Sequence, residues 1–188
     1  MITDIFADPV LHVQLEEDLK VLIDFSNKLE KGRVKSNVGG FQSEDLDKNA
    51  PELESLISNI LFHGYSFIKE HLHLRNDIYL NNIWVNKNYY KDYNEQHVHL
   101  DCVLSGVFYV KTNPQSGDLK FFRNNMLDIW MPDNSITKFN YHNSTLWAFR
   151  PEDNYLFLFP AWLKHSVTPN LSQEERISIS FNISIKRC

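Results

Sequence analysis

The chain has 188 residues, the size of one ordinary domain and enough to bury a core of its own. Apolar residues make up 43% and charged residues 23%, which is typical of globular rather than disordered proteins. The net charge of −5 excludes a generally basic surface for nucleic acid or anionic membranes. Two cysteines, no visible secretory signal and no bilayer-length apolar run predict a cytoplasmic protein without a membrane or nucleic-acid partner.

Residues 1–77 are predicted to form a helical N-terminal part. Leucines recur with helical spacing between Leu15 and Leu29, and Pro51 suits the first turn of a second helix. The polar segment 31–50 between these helices contains two adjacent glycines and is predicted to be a loop.

From residue 78 the sequence changes to short runs rich in aromatic and β-branched residues, separated by turn-forming residues. Eight strands are predicted, at 78–85, 96–100, 105–110, 118–122, 144–149, 155–159, 163–167 and 176–184. Many short strands at fairly regular spacing indicate a β-sandwich or barrel over residues 78–185. We expect one domain, 1–188, with the N-terminal helices packed on one sheet.

His97 and His99 form an H-x-H pair within the predicted strand 96–100. Residues two apart on a strand point to the same face, so both imidazoles can bind one metal ion. Asp101 has the same parity, which makes His99 and Asp101 a second possible pair of ligands. The alternative without a metal is two partly exposed histidines on an edge strand.

A second group of polar residues lies near the end of the chain. His165 follows an apolar run and a proline, and Arg176 comes eleven residues later at the start of the last predicted strand. Arg176 and Ser178 share one face of that strand, opposite Ile177 and its apolar neighbours. A guanidinium next to a hydroxyl is well suited to binding a carboxylate.

These motifs together resemble the 2-oxoglutarate and Fe(II)-dependent oxygenases. The sequences of several runs also resemble a poorly characterised branch of that superfamily, found widely in marine bacteria and cyanobacterial viruses. The matching runs, in chain order, are SNVGGFQS (36–43), NEQHVH (94–99), SGVFYV (105–110), GDLKFF (117–122), FPAWLKHSVTPN (159–170) and RISISFN (176–182).

The resemblance implies a double-stranded β-helix, or jelly roll, with Fe(II) and 2-oxoglutarate as cofactor and cosubstrate. It implies that His165 and the pair His97 and His99 bind the iron, although His99 with Asp101 would give the usual two-histidine, one-carboxylate site. Two further roles follow from the resemblance alone. Arg176 with Ser178 would bind the far carboxylate of 2-oxoglutarate, and Tyr109 would either donate its hydroxyl to the cosubstrate or be a core aromatic.

The predicted activity is hydroxylation of an unknown small-molecule or peptide substrate, with release of succinate and carbon dioxide and with ascorbate as a candidate reductant. Trp84 is a candidate to line the substrate cleft. Two alternatives stay open: a three-histidine, cupin-like metalloenzyme that does not use 2-oxoglutarate, and a non-catalytic jelly-roll binding module. The chain would act in the cytoplasm of a bacterium or a virus-infected cell, and a homodimer is one candidate assembly.

Overall fold

The computed structural model describes residues 7–123 and 136–186, which contain two helices and twelve strands. The strands are β1 (Leu11–Gln14), β2 (Gly32–Arg33), β3 (Asn37–Val38), β4 (Phe41–Ser43), β5 (Ile78–Asn88), β6 (Tyr93–His97), β7 (Leu104–Lys111), β8 (Leu119–Phe122), β9 (Leu146–Phe149), β10 (Tyr155–Pro160), β11 (His165–Val167) and β12 (Arg176–Ile185). The helices are α1 (Leu19–Asn27) and α2 (Glu54–Ser66); a 3₁₀ turn (Pro51–Leu53) precedes α2 and a π-helical turn (Phe67–His71) follows it.

The strands form two antiparallel sheets. The major sheet has the order β1-β10-β7-β12-β5-β4-β2, and the minor sheet has the order β3-β6-β11-β8-β9. Strands distant in sequence are neighbours in both sheets, as in a jelly roll. The predicted mainly β architecture is therefore confirmed.

Two apolar clusters hold the layers together. The larger lies between the major sheet and the helices, where Leu22, Leu56 and Ile60 pack with apolar residues of β12 such as Ile179. The smaller lies between the two sheets and is mostly aromatic, with Phe121 among its members. The helices therefore cover one face of the major sheet and leave its other face available to line a cavity.

The helix boundaries follow from local chemistry. α1 begins after Asp18, whose carboxylate accepts hydrogen bonds from the backbone N–H groups of Lys20 and Val21. Pro51 opens the turn that leads into α2, as predicted. Leu15, which was expected in the first helix, lies before α1. No helix in the described residues is long and apolar enough to cross a membrane.

The prediction that residues 31–50 form a loop is wrong, because this segment contains β2, β3 and β4. These strands are two or three residues long and mostly polar, so they carry no detectable periodicity of their own. They form by pairing with sheet edges, β3 on the minor sheet and β4 on the major sheet. Gly39 and Gly40, with φ of 70° and 64°, allow the chain to cross from one sheet to the other.

The predicted strand 96–100 is also misplaced. β6 ends at His97, and Asp101 has a φ of 63°, which is incompatible with a continuing strand. The alternation of side chains on a strand therefore does not place His99 on the same face as His97 or Asp101. Each of the other seven predicted strands overlaps an observed strand.

Candidate active site

Three histidines meet at one end of the minor sheet. His97 is the last residue of β6 and His165 is the first of β11, and they face each other as register partners. His99 lies beyond β6 and is held by a 3.0 Å hydrogen bond from its backbone N–H to the carbonyl of Ala161. One ring nitrogen from each histidine lies within 4.8 Å of the other two, and Nε2 of His99 is 3.3 Å from Nε2 of His165. We call these three residues the histidine cluster.

The protonation of the cluster suits a metal ion. Nδ1 of His97 donates to the carbonyl of Glu95 at 2.7 Å, and Nδ1 of His165 donates to the carbonyl of Leu163 at 2.9 Å. Both rings therefore keep a free lone pair on Nε2, and such backbone bonds fix the ring orientation as in known metal sites. Burial lowers the pKa of His99 to about 4 and that of His165 to about 3, so both are neutral at pH 7.

The donor set fits a divalent ion of the first transition row, for which imidazole is a suitable ligand. In the described part of the chain, the cluster is a three-nitrogen set that contains no carboxylate. Asp101 is exposed and is not part of it. The alternative pairing of His99 with Asp101 therefore gains no support from the geometry.

Arg176 lies buried at the start of β12, with only 1% of its surface exposed. Its Nη1 donates to the carbonyls of Ser116 and Thr168, while its Nη2 is buried and has no hydrogen-bond partner among the described residues. A Cβ on Gly117, whose φ is 89°, would lie 2.9 Å from Nη1 and 2.3 Å from the carbonyl of Thr168, so a glycine is required beside the guanidinium. The unfilled hydrogen-bonding capacity of a buried cation indicates an anion site.

Ser178 and Tyr109 extend this site toward the histidine cluster. They are register partners on β12 and β7, and both line the same cavity between the sheets. The Tyr109 hydroxyl is buried and unpartnered in the described structure, and burial raises its pKa to about 12. It therefore stays protonated and can donate to an anion bound by Arg176.

Two asparagines on β5 lie beside this site and were not predicted, and Asn86 lines the cavity. Asn86 lies opposite Ser178 in the register and Asn88 lies opposite Arg176, and each has a buried Oδ1 without a partner in the described residues. Nδ2 of Asn86 donates to Ser180 at 3.0 Å. A 180° rotation of the Asn86 amide exchanges Oδ1 and Nδ2. The Ser180 hydroxyl would then donate to Oδ1, and the N–H groups of Nδ2 would be available to an anion. No local signal in the sequence marks these amides, because asparagine on a strand is ordinary.

Trp84 forms the wall next to the histidine cluster. Its indole lines the cavity, and its ring centroid is 6.1 Å from that of His99. Trp84 lies opposite Ser180 in the register, two residues from Asn86. The cavity thus joins a candidate metal site, a candidate anion site and an aromatic wall.

The family described as "Putative 2OG-Fe(II) oxygenase" matches residues 82–182, more than half of the chain. The chain belongs to this family. The matched region contains the histidine cluster and Arg176, Ser178 and Tyr109. Among curated protein sequences, none matches the chain.

Solved structures share the fold. A prolyl-4-hydroxylase from Pseudomonas putida superposes with a TM-score of 0.63 at 16% identity, covering 95% of this chain and 92% of its own. HygX from Streptomyces hygroscopicus, solved with nickel and 2-oxoglutarate, gives a TM-score of 0.68 at 10% identity, covering 93% and 82%. The viral collagen prolyl hydroxylase of Paramecium Bursaria Chlorella virus-1 gives 0.59 at 14% identity, covering 93% and 94%. These similarities confirm the predicted double-stranded β-helix.

Proposed function

We propose that this chain is a 2-oxoglutarate-dependent dioxygenase that hydroxylates a second substrate and releases succinate and carbon dioxide. One observation carries the proposal: a three-imidazole cluster shares its cavity with Nη2 of Arg176 and the hydroxyl of Tyr109, neither of which has a hydrogen-bond partner among the described residues. A metal site alone does not need a buried cation with free donors. A ligand with both a metal-binding end and a distant carboxylate satisfies both groups.

Each residue has a defined task in this proposal. The histidine cluster would hold Fe(II) through one ring nitrogen per residue. Arg176 and Tyr109 would donate to the far carboxylate of 2-oxoglutarate, with Ser178 beside them. Together with the metal ion, these residues would fix the position and orientation of the cosubstrate.

When bound, Fe(II) with oxygen and 2-oxoglutarate supplies an oxidising centre that decarboxylates the cosubstrate and inserts one oxygen atom into a C–H bond. The chain itself would position the metal ion and the cosubstrate, exclude water from the cavity and set the charge around the metal ion. The buried aromatic cluster between the sheets, with Phe159 and Phe121 against His165, keeps the site poorly hydrated. Ascorbate would serve as an external reductant.

Anaerobic titration of the apoprotein with Fe(II) and then 2-oxoglutarate tests the proposal. We expect one iron per chain and a weak visible charge-transfer band when 2-oxoglutarate is added. Iron binding without that band, and without 2-oxoglutarate binding in calorimetry, would contradict the proposal and favour a three-histidine metalloenzyme of another kind. Absence of iron binding would favour a non-catalytic binding module.

Replacing Tyr109 by phenylalanine is expected to weaken 2-oxoglutarate binding about tenfold, because a hydrogen bond to a carboxylate is lost. The same change should stabilise the apoprotein by about 1 kcal/mol, since it removes a buried hydroxyl that has no partner in the described part of the chain. Calorimetry with 2-oxoglutarate and thermal unfolding of the metal-free protein measure the two effects. Tyr79→Phe, at an exposed position on β5, is the matched control. A Tyr109→Phe protein with unchanged affinity would show that Tyr109 is a core aromatic only.

A further inference from the structure

The cavity is unusually free of negative charge for a protein of net charge −5. Among the described residues that line it, none is aspartate or glutamate, and Arg176 is the one formal cation. Asp118 pairs with Arg150 at 3.3 Å, and Asp92 accepts from the backbone N–H of Tyr89, but neither lines the cavity. Both carboxylates act electrostatically from outside the cavity, Asp92 on Arg176 and Asp118 on Tyr109. Within the cavity itself, the charge of a site with its ligands bound is set by those ligands and by Arg176.

The positive and negative charges in the cavity do not cancel when Fe(II) and 2-oxoglutarate are bound. Imidazoles that bind a metal are neutral, so the histidine cluster leaves both positive charges of Fe(II) uncompensated. With Arg176 the site carries three positive charges, and 2-oxoglutarate brings two negative ones. A site with a carboxylate ligand in place of one histidine would be neutral; this site keeps one positive charge.

A second cation lies just outside the Trp84 wall. The guanidinium carbon of Arg33, on β2, is 6.0 Å from the centroid of the Trp84 ring. Asp45 accepts one hydrogen bond from Nη2 of Arg33 at 2.5 Å, and Asp45 is about half exposed to solvent. Nε of Arg33 is buried and has no partner in the described residues. Arg33 therefore places a second cation, paired on one side with Asp45, against the Trp84 ring.

We propose that the substrate to be oxidised is an anion, with a carboxylate as its charged group, and that this group binds on the Trp84 side of the cavity toward Arg33. This inference rests on the proposed function, since the excess charge arises only with Fe(II) and 2-oxoglutarate in place. A net charge in a poorly hydrated cavity is costly, and an anionic substrate removes that cost as it binds. A neutral analogue of the same shape leaves the net charge of the cavity, and its cost, unchanged.

Matched pairs of small probes test the inference. Zn(II) replaces Fe(II), since it has the same charge and is diamagnetic, and saturating 2-oxoglutarate keeps the probes away from Arg176. Benzoate against benzamide and indole-3-acetate against indole-3-acetamide are then titrated by ligand-observed NMR. We expect the carboxylate of at least one pair to bind about tenfold more tightly than its amide.

Two variants and one control separate the sources of this preference. Arg33→Gln should reduce it about threefold or more, while Lys20→Gln, an equal charge change at an exposed position of α1, should leave it unchanged. His99→Asp supplies a carboxylate ligand, balances the charge of the metal site and should reduce the preference with Arg33 intact. Equal binding of carboxylates and amides, binding of neither class, or equal effects of Arg33→Gln and Lys20→Gln would overturn the inference. If 2-oxoglutarate itself does not bind the Zn(II)-loaded wild type, the proposed function fails; if it binds and no preference is seen, only this inference fails.

Discussion

Arg176→Met is expected to weaken 2-oxoglutarate binding about 1000-fold and to leave the apoprotein at least as stable as the wild type. Loss of one partner of a buried charge pair costs about 2–5 kcal/mol of binding free energy, and each 1.4 kcal/mol is tenfold in affinity. In the apoprotein the guanidinium is buried with no hydrogen-bonded carboxylate among the described residues, and burial lowers its pKa. Methionine, an apolar side chain of similar length, avoids that cost. Calorimetry of the metal-loaded protein and thermal unfolding of the apoprotein measure the two quantities.

Two further variants sharpen this result. Arg176→Lys keeps the charge but loses the planar fork, so its affinity for 2-oxoglutarate should fall between those of wild type and Arg176→Met. Arg150→Met removes an exposed arginine that pairs with Asp118, and it should leave the affinity unchanged. An Arg176→Met protein that is folded and binds 2-oxoglutarate normally would remove the cosubstrate role of this residue.

The long strands of this fold were predictable because each buries one or both faces over many residues. β12 alternates strictly, so the apolar series through Ile177 and Ile179 enters the large core while Arg176 and Ser178 face the cavity. Because side chains alternate between the two faces of a strand, the apolar residues that enter the core fix which polar residues face the cavity. A local pattern is then sufficient to place the side chains.

Other features depend on contacts that a local pattern does not contain. β2 to β4 exist because sheet edges supply their partners, not because of their own polar residues. His99 reaches the histidine cluster through a loop held by Ala161, whereas the predicted reason was strand parity with His97. Asn86 became informative only when its neighbours were known, since an asparagine on a strand is ordinary until its oxygen is found buried and unpartnered.

His165→Ala is expected to lower metal affinity by more than about 100-fold. Loss of residues that merely support a ligand costs about 10- to 100-fold, so loss of a ligand should exceed that range. His97→Ala and His99→Ala should behave alike, because each contributes one of the three clustered nitrogens. Co(II) titration, followed by visible absorption and calorimetry under conditions where wild type binds one ion, measures the effect.

Two control variants decide between the possible ligand sets. Asp101→Ala should change Co(II) affinity less than about threefold, since Asp101 is exposed and outside the cluster. His71→Ala removes an exposed histidine from the other H-x-H pair, formed with His73, and should have no effect. A large loss with Asp101→Ala and a small one with His97→Ala would instead assign the two-histidine, one-carboxylate set. That result would also remove the excess positive charge on which an anionic substrate depends, so the ligand set and the substrate class are decided by the same titration.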